Sequence, residues 1–182
     1  MQVVRLLARH RLTWPRVHVG ERLQFEDGTT SRVFRETALE APVREPALLV
    51  VRFRLRALGR ARLPHRLFRA ESIANTPLFA GFPGFRSKLW LCDEATGTYR
   101  GIYEWDGADR ATAYAETLSM LLRPFCVHGS VTYQVVAGTR RDEYLAHPES
   151  VPRSGATGSW WQLRSGRPTA DPHATRTEKG SP

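Results

Sequence analysis

A lysine and a tryptophan two residues apart are among the side chains of this 182-residue chain that could do chemistry. Lys88 and Trp90 share one face if residues 85–92 form a strand, because successive side chains on a strand point to opposite faces. An ammonium and an indole could then flank an anionic aromatic molecule. The alternative is an ion pair between Lys88 and Glu104 across a hairpin, worth about 0.2 to 1 kcal/mol. Lys88 is therefore a candidate catalytic residue, and Trp90 a candidate substrate-binding residue.

His128 is the other candidate catalytic residue and the candidate general base. It is the one histidine within a predicted core strand, residues 126–136. An imidazole titrates near neutral pH, so His128 could act as general base on an acidic phenol or enol. No carboxylate lies near His128 in sequence, so neither a Ser-His-Asp nor a Cys-His arrangement is indicated. Cys126 lies two residues away, on the same predicted face. A hydrogen-bonded sheet histidine is the alternative.

Five more residues are candidates for binding a substrate. Three of them alternate onto the predicted face that carries Lys88, and two flank a predicted helix. His65, at the start of that helix, could equally be a surface histidine, and Asn75, at its end, an ordinary cap. The five are Arg52, Arg54, Thr132, His65 and Asn75.

The net charge of +9 is carried entirely by the first 70 residues, which hold 15 Arg against 6 Asp or Glu. Seven arginines between positions 52 and 69 have no acid among them and could attract phosphates. They come with neither a recognition motif nor an aromatic-interleaved basic stripe, so we do not expect nucleic-acid binding. Twenty-five Arg beside two Lys indicates a composition bias instead.

Cysteine usage and hydropathy limit the protein class. Two cysteines, Cys92 and Cys126, without clustered Cys or His partners can form neither a structural zinc site nor a disulfide framework, so we expect no metal. We expect a cytoplasmic protein, since a reducing compartment is the simplest setting. The sequence has no run of 18 consecutive apolar residues, so we expect no membrane-spanning helix.

The hydrophobic periodicity predicts an α+β fold. Strands are expected at residues 47–55, 85–92, 99–105 and 126–136, with helices at about 64–75 and from about 109 to 123. The order β-α-β-β-α-β predicts a ferredoxin-like, four-stranded antiparallel sheet with both helices on one face. Residues 46–138 would form this domain.

Two segments flank the predicted domain. Residues 1–45 are expected to add an amphipathic helix at 2–12 and a hairpin turning at 26–29, where Asp27-Gly28 suits a tight turn. Packing of that helix on its own domain or on a second subunit is favoured over contact with an anionic membrane. Residues 139–182 are expected to be mostly disordered, except that Trp160-Trp161 could anchor the tail to the domain or to a partner.

The predicted sheet leaves one face without helices. That face would present a mixed set of apolar, aromatic and cationic side chains, which suits a semi-enclosed pocket formed when two sheets pair face to face. A solvated face is the alternative. Its residues would be Val50, Arg52, Arg54, Lys88, Trp90, His128, Thr132 and Gln134.

Several runs resemble one known family. They are SIA at 72–74, PGFRSKLW at 83–90, EATGTYRGIYEW at 94–105 and ATAY at 111–114. Together they resemble the YdhR-like monooxygenase-related group of the dimeric α+β barrel superfamily, which includes the antibiotic-biosynthesis monooxygenases. The likeness covers about residues 47–138. This chain departs from the group by an insertion at 75–82, the hairpin at 17–38 and the long tail.

The resemblance implies a homodimer whose sheets close a barrel, with a cavity in each subunit and no bound metal, flavin or haem. Two functions follow as hypotheses. One is a cofactor-independent monooxygenase-like or isomerase-like protein acting on a small aromatic or polyketide-like molecule, whose own carbanion activates oxygen. The other is a dimeric small-molecule carrier or accessory protein without turnover.

Overall fold

The computed structural model describes residues 12–56, 82–152 and 159–164. Within them, seven strands form one antiparallel sheet. The strands are β1 (Leu12–Thr13), β2 (Arg22–Gln24), β3 (Thr30–Leu39), β4 (Pro46–Arg54), β5 (Phe85–Asp93), β6 (Thr98–Asp106) and β7 (Thr132–Ala137). The helices are α1 (Ala108–Leu122) and α2 (Arg141–Ala146), with 3-10 turns at Pro148–Ser150 and Ser159–Trp161. The predicted helices at 2–12 and 64–75 lie outside the described residues, except for residue 12, which is in β1.

The spatial order of the strands is β1-β3-β5-β6-β4-β7, and β2 pairs with β3. The central run β5-β6-β4-β7 has the antiparallel order of a ferredoxin-like sheet. The prediction of a four-stranded sheet was wrong, because β3 pairs along β5 and brings β1 and β2 with it. The crossover between β4 and β5 lies in residues 57–81, outside the described residues.

Local turn chemistry explains both hairpins. Gly28 takes a positive φ of 84°, and the Asp27 carboxylate accepts a hydrogen bond from the Thr29 backbone N–H at 3.0 Å. At the β5–β6 turn, Gly97 has a φ of 67° and the Asp93 carboxylate accepts a bond from the Thr96 hydroxyl at 2.8 Å. Glycine adopts such angles without a Cβ penalty, so both turns occur where the sequence predicts them.

Helix α1 packs on one face of the sheet. It buries Ala111, Tyr114 and Ala115 at helical spacing against the apolar side chains of β4 and β6. Its start follows Gly107, without a side-chain cap. None of the helices in the described ranges is long and apolar enough to cross a membrane.

The opposite face of the sheet is covered by the chain's own tail. Tyr144 of α2, Trp160, Trp161 and Leu163 pack on an apolar layer of β4, β5 and β6. The layer consists of Leu48, Val50, Leu89, Leu91 and Ile102. The prediction of a mostly disordered tail therefore does not hold for residues 141–152 and 159–164.

Backbone hydrogen bonds fix the tail to the hairpin. The Glu26 N–H donates to the Gln162 carbonyl and the Arg164 N–H to the Gln24 carbonyl, each at 2.9 Å. The Tyr144 hydroxyl donates to the Trp161 carbonyl. The bare face on which the predicted sheet-to-sheet homodimer depended is thus occupied within a single chain.

Candidate functional site

Lys88 and Trp90 lie on the side of the sheet that faces α1, not on the side predicted. The cause is a bulge at Arg86: Phe85 lies opposite Trp105, yet Ser87 lies opposite Glu104. One extra residue reverses the face of every side chain that follows. If side chains are assigned to alternate faces from Phe85 onward and the bulge is ignored, Lys88 and Trp90 are therefore placed on the wrong face.

Two cross-strand rows form the candidate site. In the first row, Thr37, Lys88 and Tyr103 lie side by side on β3, β5 and β6. In the second row, Arg35, Trp90 and Gly101 occupy the same three strands. Side chains directly opposite each other on adjacent strands share a face, so both rows point toward α1. We call Arg35, Thr37, Lys88, Trp90, Tyr103 and Tyr114 the Lys88 site.

The Lys88 amine lies among aromatic rings. Its Nζ is 3.0 Å from the centroid of the Trp90 ring and 4.7 Å from that of Tyr103. The residue is only 5% exposed. Burial holds the pKa of Lys88 well below its ordinary value of 10.5, and the nearby Arg35 guanidinium lowers it further. The chemical result is an amine that carries a lone pair at lower pH than an exposed lysine does.

Trp90 links the amine to β3. Its Nε1–H donates to the Thr37 Oγ1 at 3.4 Å, which orients the indole. The Arg35 guanidinium lies 5.5 Å from the centroid of the same ring. An arginine stays protonated in proteins, so the site keeps one fixed positive charge beside an amine that can lose its own.

Two phenols complete the Lys88 site. The rings of Tyr103 and Tyr114 lie 5.6 Å apart, inclined at 60°. Burial is the main cause that raises the pKa of both groups. Both phenols therefore stay protonated at neutral pH and can donate a hydrogen bond.

The other predicted site residues lie elsewhere. On the tail side, the Arg52 guanidinium lies 4.8 Å from the centroid of the Trp160 ring and 3.3 Å from the Asp27 carboxylate. Thr132 lies opposite Arg52 on β7. Arg54 is exposed at the end of β4. His65 and Asn75 lie outside the described residues.

His128 does not lie on a core strand, and that prediction was wrong. It is exposed in a turn before β7. The segment before β7 contacts β4, where the Val127 N–H donates to the Arg54 carbonyl at 2.8 Å. Cys126 forms a bridge to Leu55, and its burial raises the thiol pKa to about 11. In the sheet, β6 and β4 lie between β5, which carries Lys88, and β7, which His128 precedes.

Arg35, Thr37 and the two tyrosines were not picked from the sequence as site residues. Tyr103 and Tyr114 are both buried in the core. Arg35 and Thr37 depend on the pairing of β3 with β5, about fifty residues away in sequence. In the part of the chain that the structure describes, no three His, Cys, Asp or Glu side chains converge as metal ligands would.

No family model matches this chain, and no curated protein matches it. Among solved structures, it is similar to an uncharacterized ferredoxin fold protein related to antibiotic biosynthesis monooxygenases from Listeria monocytogenes 4b F2365. The two chains are 14% identical, the TM-score is 0.41, and the alignment covers 74% of this chain and 86% of that one. At this level of similarity the function has to be argued from the side chains themselves.

Proposed function

We propose that this protein is a cofactor-independent enzyme of the monooxygenase or isomerase type, acting on a small aromatic or polyketide-like molecule. Lys88 is its general base. The observation that carries the proposal is the Lys88 amine buried against two aromatic rings, beside the fixed charge of Arg35. In this reaction the amine takes a proton from an acidic carbon or phenol of the substrate.

The surroundings of the amine suit that step. The Trp90 and Tyr103 rings supply flat apolar walls for an aromatic substrate. The anion left after proton removal would be stabilised by the Arg35 guanidinium and by the newly formed ammonium. Such an electron-rich anion can reduce oxygen directly, so the chain needs to supply only the base, the walls and the positive charge.

Anthrone is a suitable first probe, because it has one acidic methylene group between two aromatic rings. Conversion with one oxygen molecule gives anthraquinone and water, and both oxygen uptake and absorbance report it. We expect the wild type to exceed the solution rate and Lys88→Met to lose about a hundredfold or more. The matched control is Lys179→Met, which removes the other lysine of the chain. An unchanged rate in Lys88→Met would remove the assigned role.

A carrier without turnover is the second candidate, and the position of His128 favours it. His128 is exposed in the turn before β7, whereas Lys88 is buried on β5, so the structure does not bring the two predicted catalytic residues together. Native mass spectrometry of protein purified from its own host separates the candidates. A copurifying unmodified ligand, with no oxygen-dependent change, supports the carrier, whereas a substrate and product pair supports the enzyme.

A further inference from the structure

Lysine at position 88 is an exception in this sequence. The chain has 25 arginines and two lysines, so nearly every cationic position is filled by arginine. Arginine cannot be deprotonated in a protein, whereas a buried lysine readily loses its proton and can then act as a nucleophile. The chain thus has its uncommon cation at a buried position, where a lysine, unlike an arginine, can lose its proton.

The position of the amine also fits nucleophilic chemistry. The Nζ of Lys88 lies 3.0 Å from the Trp90 ring centroid and 4.7 Å from that of Tyr103. Removal of the amine from water favours its neutral, nucleophilic form, as in lysines that form Schiff bases. A conjugated group bound at Nζ would lie against the same two rings.

We propose that Lys88 condenses with the aldehyde or ketone group of an aromatic ligand and holds it as an imine. This inference rests on the proposed function, and it names the substrate class of the same site. The nitrogen lone pair adds to the carbonyl carbon and gives a carbinolamine. The carbon–oxygen bond then breaks, and the oxygen leaves as water with the two hydrogens that the nitrogen gives up. No oxidant or reductant takes part, and water reverses the step.

The imine has a chemical consequence for the proposed reaction. Once it is protonated on nitrogen, the imine withdraws electrons from the carbon next to the imine carbon. A hydrogen on that carbon becomes more acidic. The Trp90 and Tyr103 rings stabilise the resulting cation through their faces. A Lys88 nitrogen held in the protonated imine has no lone pair left to accept a proton, so covalent capture and proton removal by Lys88 are alternative events at one site.

The test uses the full-length chain, benzaldehyde and sodium cyanoborohydride, which reduces an imine to a stable benzyl amine. Peptide mass spectrometry then compares the two lysines of the same molecule. At neutral pH we expect Lys88 to be labelled at least about tenfold faster than Lys179, since each unit by which a pKa falls increases the neutral fraction about tenfold. Equal labelling of both lysines, or labelling of Lys179 alone, would overturn the imine.

Two variants and one activity measurement complete the design. Lys88→Arg keeps a cation but cannot condense, so the label at position 88 must vanish; near-UV circular dichroism checks that the variant is folded. Label at Lys88 without anthrone turnover supports the imine and removes the proposed enzyme. Turnover that needs Lys88, without label there, keeps the general base and overturns the imine.

Discussion

The ring of Tyr103 lies over the backbone of Gly101, so close that a β-carbon at residue 101 would be 2.5 Å from its Cε2 atom. The two residues are on one strand and on one face, and the missing side chain makes room for the phenol beside Lys88. A glycine within this strand is thus needed for the shape of the Lys88 site.

Gly101→Ala should displace the Tyr103 ring. We expect a loss of about 1 to 3 kcal/mol in the free energy of unfolding, because the ring cannot move without disturbing Tyr114. Urea unfolding measures the loss. Combination with Tyr103→Val removes the ring, so the two changes should be clearly non-additive. Simple additivity would show that the contact is unimportant.

Lys88→Met should stabilise the protein at neutral pH by about 1 to 3 kcal/mol, because the buried amine loses hydration that an apolar side chain does not need. Below pH 10.5, Lys88 binds a proton more readily in the unfolded chain than in the folded one. The free energy of unfolding of the wild type therefore rises with pH. The advantage of the variant should therefore shrink as the pH rises from neutral toward 10.5.

Urea unfolding at several pH values between about 7 and about 10 tests this dependence. Among the described residues, Arg35 on β3 and Tyr103 on β6 face Lys88, and Tyr114 on α1 lies against Tyr103. Arginine stays charged and both phenols have raised pKa values, so none of them should reproduce the slope. Destabilisation by Lys88→Met at every pH would mean that the amine is a charged, stabilising group.

Trp161→Ala should cost about 3 to 5 kcal/mol, because it empties a large volume between the tail and the sheet. Trp161 is 1% exposed, whereas Trp14, the matched control, is 51% exposed. Trp14→Ala should change the free energy of unfolding by about 0.5 kcal/mol or less. Equal effects of the two substitutions would show that the tail does not complete the core.

Asp27→Asn should destabilise the fold by about 1 to 3 kcal/mol, since it leaves the buried Arg100 guanidinium without its counter-charge. The Arg100 Nη2 lies 3.0 Å from the Asp27 carboxylate, and its Nη1 donates to the Ser31 hydroxyl at 2.8 Å. Asp109→Asn, on the exposed first turn of α1, should cost less than about 1 kcal/mol. Thermal unfolding of both variants decides the matter, and a loss no larger in Asp27→Asn than in the control would mean that this ion pair does not support the fold.

Local patterns predicted most of the sheet. Alternating apolar side chains located β4, β5 and β6, and Asp27-Gly28 located the hairpin turn, because these signals lie within a few residues. The Arg86 bulge carries no such signal, so Lys88 and Trp90 were predicted on the face opposite to the one that they occupy. Long-range pairing was also invisible: nothing within β3 states that it pairs with β5.

The tail shows the same division. Trp160-Trp161 stood out as a possible anchor, and the structure confirms that it packs on the chain's own sheet. Helix α2 was missed because its six residues make fewer than two helical turns, so no apolar period could emerge. Two residues of the Lys88 site, Lys88 and Trp90, could be identified from the sequence. The residues on β3 could be identified only once the fold was known.

The tail that covers the sheet is synthesised after every strand beneath it. During translation, the layer of Leu48, Val50, Leu89, Leu91 and Ile102 therefore waits for residues 144–163 to leave the ribosome. A nascent chain that presents such a layer is open to aggregation or to capture by a chaperone. Slow decoding before residue 144 should consequently lower the yield of folded protein more than slow decoding after residue 163.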